Sequence, residues 1–198
     1  MLNFIGIGSA FNTKAGNTSA FLNCGSDKIL FDCGETVFAS LKDSEFWTGH
    51  TNVFVTHNHP DHIGSLGTFI FYSFYLKKDR PTIYGDQNLK TILTMMGVRD
   101  EMFNFVDVNS KKIFTFKDKG ALKEDYLISP VDTKHASTIQ SKGYIIHEKT
   151  TGLTYYFGGD SSEVPELVFN KFNEGKINYL YIDTSWIDYP DSIHLSYK

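Results

Sequence analysis

The sequence has no long apolar run, almost no cysteine and no cluster of basic residues, and each lack removes a class of protein. Its longest greasy segment, Phe69 to Leu76, is interrupted by Ser73 and is too short to span a bilayer. The opening Met1-Leu2-Asn3-Phe4-Ile5-Gly6 carries neither a basic leader nor a long apolar stretch. No signal peptide and no membrane anchor are therefore expected, and the expected location is the cytoplasm. Cysteine occurs only at Cys24 and Cys33. If Phe21–Cys24 and Ile29–Cys33 pair as a hairpin around Gly25-Ser26-Asp27, the two are offset by about 15 Å at strand rise. A disulfide tolerates about 7 Å between Cα atoms, so both read as free thiols. Net charge is −4, and Lys77, Lys78, Arg80, Lys111 and Lys112 are scattered rather than gathered. No extended nucleic-acid surface is expected.

What is present fits one compact domain over 1–198. The 41% hydrophobic and 15% aromatic content is ample for a core at this length. Leu2–Ile7 reads as a short strand, followed by the polar segments Gly6-Ile7-Gly8-Ser9 and Gly16-Asn17-Thr18-Ser19. As a phosphate cradle Gly-x-Gly is a weak signal here, because a strand pattern follows it rather than a helix start. Asp32, in Phe31-Asp32-Cys33-Gly34-Glu35, has two readings. It either fixes the tautomer of a ligating histidine or belongs to a helix N-cap region.

Asn52-Val53-Phe54-Val55-Thr56 reads as a buried strand leading into His57-Asn58-His59-Pro60-Asp61-His62-Ile63-Gly64. Alternation along an extended chain sends His57 and His59 to one side, where they can share a metal ion. Pro60 then bends the chain, and Ile63, Leu66, Ile70 and Phe74 recur at helical spacing. This places Asp61 and His62 at the strand-to-helix turn, as first ligands of a second ion. The alternative is a surface loop that happens to be rich in histidine. The composition yields such a pattern by chance in roughly one sequence in a thousand or fewer, which disfavours that alternative.

Downstream the spacing predicts a helix over Ile63–Lys77, a strand at Pro81–Gly85 and a helix capped by Asp86 and ended by Gly97. Strands follow at Phe103–Val108, Ile113–Phe116, Tyr126–Val131, Gly143–His147 and Leu153–Phe157. Ser162 is expected to cap a helix with Pro165 in its first turn and Val164, Leu167, Val168 and Phe172 along it. Ile177–Ile182 is the last strand. Helices interleaved with strands near both ends suggest an α/β (α+β) protein, an αββα sandwich of two mixed sheets flanked by helices.

The His-x-His-x-Asp-His run at His57–His62 resembles the signature of the metallo-β-lactamase superfamily. That pattern asks for two further histidines and an aspartate. His135 follows the strand Tyr126–Val131. Asp160 sits in Phe157-Gly158-Gly159-Asp160, where glycines let the backbone approach a metal pair and a carboxylate has two oxygens to bridge it. His194 is the last imidazole. A lone histidine at a strand end is more often structural than ligating, but order and type match together. The chain is most similar to the ribonuclease Z-like branch, through Gly6-Ile7-Gly8-Ser9, Asn17-Thr18-Ser19, Asp32-Cys33-Gly34-Glu35, Gly143-Tyr144 and Gly159-Asp160. The resemblance implies that His57, His59 and His135 hold one divalent ion, that Asp61, His62 and His194 hold another, and that Asp160 bridges them. His50 and His147 match no motif position.

Such a donor set suits two zinc ions, with manganese also compatible. A pair about 3.5 to 4 Å apart lowers the pKa of a bridging water, and Asp61 would orient the resulting hydroxide. The resemblance therefore implies a metal-dependent hydrolase. A phosphodiesterase acting on small phosphodiesters or cyclic nucleotides is favoured, with Tyr144, Trp186 and Tyr189 as candidate stacking surfaces. Competing readings are a lactonase or thioesterase, ribonuclease Z-type tRNA processing, an iron-dependent oxidoreductase and a non-catalytic metal-binding module. Two departures weigh against tRNA processing. The long Gly/Pro-rich arm is missing, and Asp183-Thr184-Ser185-Trp186 stands where the branch places a glutamate and a histidine. Asp183 is then either the leaving-group proton donor or a carboxylate capping a turn. The expected partner is a small-molecule substrate, and a homodimer is compatible with the sequence.

Overall fold

A computed structural model describes residues 1–117, 125–185 and 191–196, and the chain forms two compact units, Met1–Ser110 and Lys111–Lys198. Trp186 and Tyr189, two of the proposed stacking surfaces, lie outside the described residues.

The first unit carries a mixed six-stranded sheet in simple sequential order: β1 (Asn3–Gly6), β2 (Ser19–Cys24), β3 (Asp27–Phe31), β4 (Thr51–Phe54), β5 (Thr82–Gly85) and β6 (Asn104–Asp107). β1, β2 and β3 are antiparallel neighbours, and from β3 onward the pairs are parallel. Parallel neighbours need crossovers, which the sequence supplies as helices. They are α1 (Val37–Leu41), then α2 (Pro60–Ile63) with α3 (Leu66–Tyr72), then α4 (Gln87–Met95). Every residue of β4 is buried, as a strand covered on both faces must be. Val37, Leu41, Leu66, Phe69, Ile70, Leu89 and Leu93 of the helices pack with Leu30, Val53 and Ile83 of the sheet. Each such side chain contributes about 1.5 to 3 kcal/mol, so this face outweighs local propensity in fixing the helices.

The glycines of the first loop serve packing. A Cβ on Gly6 would lie 2.3 Å from the Asn17 carbonyl, and one on Gly8 would lie 2.7 Å from that of Gly16. The hairpin turns at Gly25-Ser26 with Cys24 opposite Asp27, and both cysteines are free and buried, as expected. Its second strand stops at Phe31, because Asp32 takes a left-handed φ of 60°.

The helix expected over Ile63–Lys77 is instead three pieces: α2, α3 and a π-helical turn at Ser73–Lys77. The break at Gly64-Ser65 has a cause. The Ser65 hydroxyl accepts from the Phe38 amide at 3.1 Å and donates to the Gly34 carbonyl at 2.5 Å, which ties the junction to the segment after β3. α4 behaves as expected, with Asp86 accepting from the Leu89 amide and Gly97 at φ 83° beyond its end.

The second unit carries a mixed five-stranded sheet in the order β11-β10-β9-β8-β7: β7 (Phe114–Phe116), β8 (Tyr126–Asp132), β9 (Lys142–Glu148), β10 (Thr154–Phe157) and β11 (Tyr179–Tyr181). β11 runs parallel to β10, and the other neighbours are antiparallel. The crossover is α5 (Glu166–Asn173), whose Val168 packs with Tyr156 and Ile177. Ser162 is not its cap. Pro165 holds that position, and the Ser162 hydroxyl instead donates to the Lys134 carbonyl at 3.1 Å. Proline has no N–H to lose at a helix start, so the helix begins after it. Tyr144 in β9 is 0% exposed, so it offers no stacking surface to a ligand.

Candidate functional site

In the first unit, β3, β4 and β5 run parallel and in register, so their carboxyl ends share one edge: Phe31 opposes Phe54, and Phe54 opposes Tyr84. Ligand sites in open parallel sheets gather at that edge. Asp32 follows β3, the histidine loop follows β4 and Asp86 follows β5. Sheet bonding continues briefly into the loops, from the Asp32 amide to the Phe54 carbonyl and from the Val55 amide to the Tyr84 carbonyl, both at 2.9 Å.

The Asp32 carboxylate organises the histidine loop from beneath. It is 0% exposed and accepts from the Thr56 amide (2.7 Å), the Thr56 hydroxyl (2.8 Å) and His62 Nδ1 (2.8 Å). Of its two sequence readings, the tautomer-fixing one is what the structure shows, since the residue before α1 is Thr36. Burial pushes the Asp32 carboxyl above its ordinary value, while His62 and the Thr56 bonds act in the opposite direction. Burial also raises the neighbouring Cys33 thiol to about 12.

With Nδ1 of His62 committed to Asp32, Nε2 is the nitrogen it presents, 3.4 Å from Asp61 Oδ2. His57 bonds the Thr56 hydroxyl through Nδ1 at 3.1 Å and brings Nε2 to 3.1 Å from His59 Nδ1. Two ligands of one tetrahedral zinc ion, each about 2.05 Å from it, lie about 3.3 Å apart. The donor separations fit that edge length, and an Nδ1 held by a carboxylate is how ligating imidazoles are oriented. His59 caps α2 with extended backbone, and Pro60 opens the helix, which places Asp61 and His62 in its first turn. A Cβ on Gly34 would lie 1.8 Å from the Asp61 carbonyl, so only glycine lets the segment after β3 underlie that turn.

In the second unit, β8 and β10 run the same way, each antiparallel to β9, and β11 is parallel to β10. Their carboxyl ends therefore share an edge too, and His135, Asp160 and Asp183 follow them in that order. His194 arrives on a returning segment, tied down from the Ser185 amide to the Leu195 carbonyl (2.7 Å) and from the Leu195 amide to the Ser161 carbonyl (2.8 Å). One ligand atom from each of His135, Asp160 and His194 lies within 4.8 Å of the others. His135 donates from Nδ1 to the Ile193 carbonyl at 3.0 Å and presents Nε2 to Asp160 Oδ2 at 3.9 Å. His194 differs. Its Nδ1 bonds Asp183 and stands 3.8 Å from Asp160 Oδ2, so both carboxylates face one nitrogen.

Thus the structure gathers His57, His59, Asp61 and His62 in one unit and His135, Asp160, His194 and Asp183 in the other. His50 and His147 are structural: His50 bonds Asp79 and Thr82, and His147 bonds Thr154. Sequence reasoning missed Thr56, which bonds Asp32 and both neighbouring imidazoles. It also missed the bond that the Asn58 side-chain Nδ2 donates to Asp86 Oδ1 at 3.0 Å, which ties the histidine loop to the start of α4. A hydroxyl residue directly before the first histidine was the available signal for Thr56. Asn58 gave none.

Two mixed sheets flanked by helices, with histidines and aspartates that could hold a metal ion at strand ends, define a protein of the metallo-β-lactamase αββα sandwich fold. The short form of human tRNase Z (ELAC1) and the metallo-beta-lactamase fold protein YhfI from Bacillus subtilis share it. Their TM-scores are 0.69 and 0.72 and their identities 20% and 16%, over 98% of this chain and 83% and 76% of theirs. Within that fold the chain belongs to the anti-Pycsar protein Apyc1 family, whose pattern matches residues 1–198. It is 37% identical to the anti-Pycsar protein Apyc1 of Paenibacillus xerothermodurans over 71 residues, 35% of this chain and 28% of that protein. It is 26% identical to ribonuclease Z of Clostridium acetobutylicum over 179 residues, 87% of this chain and 57% of the enzyme. The Apyc1 protein of Saccharibacillus brassicae matches at 24% over 199 residues, 98% of this chain and 80% of that protein. The chain thus spans about a quarter of the first of these relatives and just over half of the second. Among the described residues, no helix is long and apolar enough to cross a membrane.

Proposed function

We propose that this protein is a metal-dependent phosphodiesterase acting on small phosphodiesters, cyclic nucleotides among them, and that residues 1–198 act as one domain with two zinc ions. The donor geometry carries the reading. Imidazole nitrogens and carboxylate oxygens stand 3.1 to 3.9 Å apart, with the other ring nitrogen of His57, His62 and His135 already bonded. In this reading His57, His59, Asp61, His62, His135, Asp160 and His194 would supply the ligands of the two ions. Such ions, when bound, supply charge stabilisation at the attacked phosphorus and a nucleophile at neutral pH. The chain's own share is orientation. Asp32 and Thr56 fix His62 and His57, the Ile193 carbonyl fixes His135, and the Asp61 carboxylate, 13% exposed, lies beside His62 to orient the nucleophile. In this reading Asp183, which bonds His194, would pass a proton to the leaving group. A diester as the bond cleaved is supported by the ribonuclease Z relatives. A small substrate is supported by the net charge of −4 with dispersed basic residues, since a folded RNA demands clustered cations.

Metal quantification is the first test, with two ions per chain expected and loss of both metal and turnover in His59→Ala. Retention of both would sink the ligand assignment. Chelation should lower the melting temperature, because the metal binds the folded state alone. Rates on cyclic nucleotides and a chromogenic diester should then exceed those on lactones, thioesters and a tRNA precursor with a 3′ trailer. Efficient trailer removal at physiological salt, with negligible small-diester turnover, would reverse the substrate reading in favour of a ribonuclease. An Asp183→Asn chain with native turnover on a poor leaving group would remove the catalytic role of Asp183.

A further inference from the structure

Asn58 stands between His57 and His59 in the histidine loop, and its side chain reaches across to the end of β5. There its Nδ2 donates to Asp86 Oδ1 at 3.0 Å. The same oxygen caps α4, accepting from the Leu89 amide at 2.8 Å. The other oxygen, Asp86 Oδ2, is buried and has no hydrogen-bond partner among the described residues.

Capping alone does not account for this carboxylate. A helix cap needs one acceptor oxygen, which serine or asparagine supplies as well. A carboxylate with one oxygen engaged twice and the other buried without a donor costs folding free energy, and such a group calls for a reason. What Oδ1 serves besides the cap is Asn58. The platform beneath it is closely packed: a Cβ on Gly85 would lie 2.4 Å from Leu89 Cδ2, and Leu89 is 0% exposed. The first turn of α4 therefore sits directly on the end of β5.

The histidine loop is thus clamped from both neighbouring strands. After β3, Asp32 holds Thr56 and His62, which lie before His57 and after His59. After β5, Asp86 holds the residue between the pair. His57 Nε2 and His59 Nδ1 stand 3.1 Å apart, the spacing of two donors on one ion.

We propose that Asp86 is a positioning residue: through Asn58 it holds the backbone between His57 and His59 and so fixes the spacing of their two donor nitrogens. The inference rests on the metal-dependent reading above, and it adds to that reading two residues that are not themselves ligands.

The test is zinc competition against the chromogenic chelator 4-(2-pyridylazo)resorcinol, on the full chain stripped of metal and reloaded. Asn58→Ala and Asp86→Ser should each weaken one of two zinc ions about tenfold and leave the other within about twofold. The double variant should bind no more weakly than either single one, because the two residues act as a unit. Asp86→Asn keeps an acceptor oxygen for both bonds and should stay within about twofold of the native affinity. In chelator, where metal contributes nothing, Asn58→Ala and Asp86→Ser should melt within about 3 °C of the native chain, since serine still caps the helix. A lowered melting temperature with native zinc affinity is the pattern of a purely structural pair and would overturn the proposal, as would additive losses in the double variant. Native uptake of two ions that Asn58→Ala holds as tightly would sink the positioning role alone. A native chain that takes up no zinc would overturn the metal-dependent reading and this inference with it. Asn58→Ala leaves the helix cap untouched, so its result decides the matter even where the Asp86 variants fold poorly.

Discussion

The two units present ligand-type residues at the same kind of place, the carboxyl ends of neighbouring strands, but by different means. The first takes four of them from one six-residue stretch after β4 and backs them with a carboxylate that is 0% exposed, Asp32. The second collects His135, Asp160 and His194 from three separate segments, and Asp183 behind His194 keeps a side chain 24% exposed. The first unit is therefore stiff around its ligand-type residues, with the histidine loop, the segment after β3 and the start of α4 bonded to one another. The second depends on a returning segment held by two backbone hydrogen bonds. A buried hydrogen-bonded network should fail all at once, and a set gathered by loops should fail piecemeal.

The largest expected effect separates the two supporting carboxylates. Asp32→Ala strands the Thr56 amide and His62 Nδ1 in the interior and should cost about 3 to 5 kcal/mol. Asp183→Ala should cost about 1 kcal/mol or less. Urea unfolding in the presence of chelator, so that metal makes no contribution, measures both. Equal losses would show the two supports to be alike.

Next come the glycines beneath the two edges. Gly34→Ala brings a methyl to 1.8 Å from the Asp61 carbonyl, a backbone atom that cannot swing away. It should cost about 3 kcal/mol or more and displace the histidine loop. Gly158→Ala in the second unit meets its nearest atoms at 3.2 Å and should cost about 1 kcal/mol. Thermal melts rank the pair, and an order reversed from this would refute the close-packed picture of the first edge.

The smallest effect is a labelling rate. Cys33, buried and raised to about 12, and Cys24, 4% exposed, should resist a disulfide reagent at pH 8 in the native chain and both react in denaturant. Asp32→Ala should speed Cys33 labelling about tenfold by loosening its neighbours, and Asp183→Ala should leave it unchanged. Fast labelling of the native chain would contradict the burial that sets the first unit apart from the second.

The sequence by itself determined the histidine loop, because alternation along a strand and the bend at a proline are local geometry. It also determined Asp86 as a helix cap and the two thiols as free. Its pattern placed nearly every strand within one or two residues, since a buried strand betrays itself by its own apolar run. Tertiary structure alone decided between the two readings of Asp32, because a left-handed φ and a histidine thirty positions away are invisible to periodicity. The same holds for the break at Gly64-Ser65, set by a hydroxyl bonded to a distant carbonyl. Pro165 rather than Ser162 begins α5 because Lys134, from another loop, occupies the serine. Asp183 meets His194, and Tyr144 lies inside its sheet, for one physical reason. Spacing along a chain fixes which side chains share a face, but only the folded neighbours fix which polar groups find partners and which aromatic rings are covered.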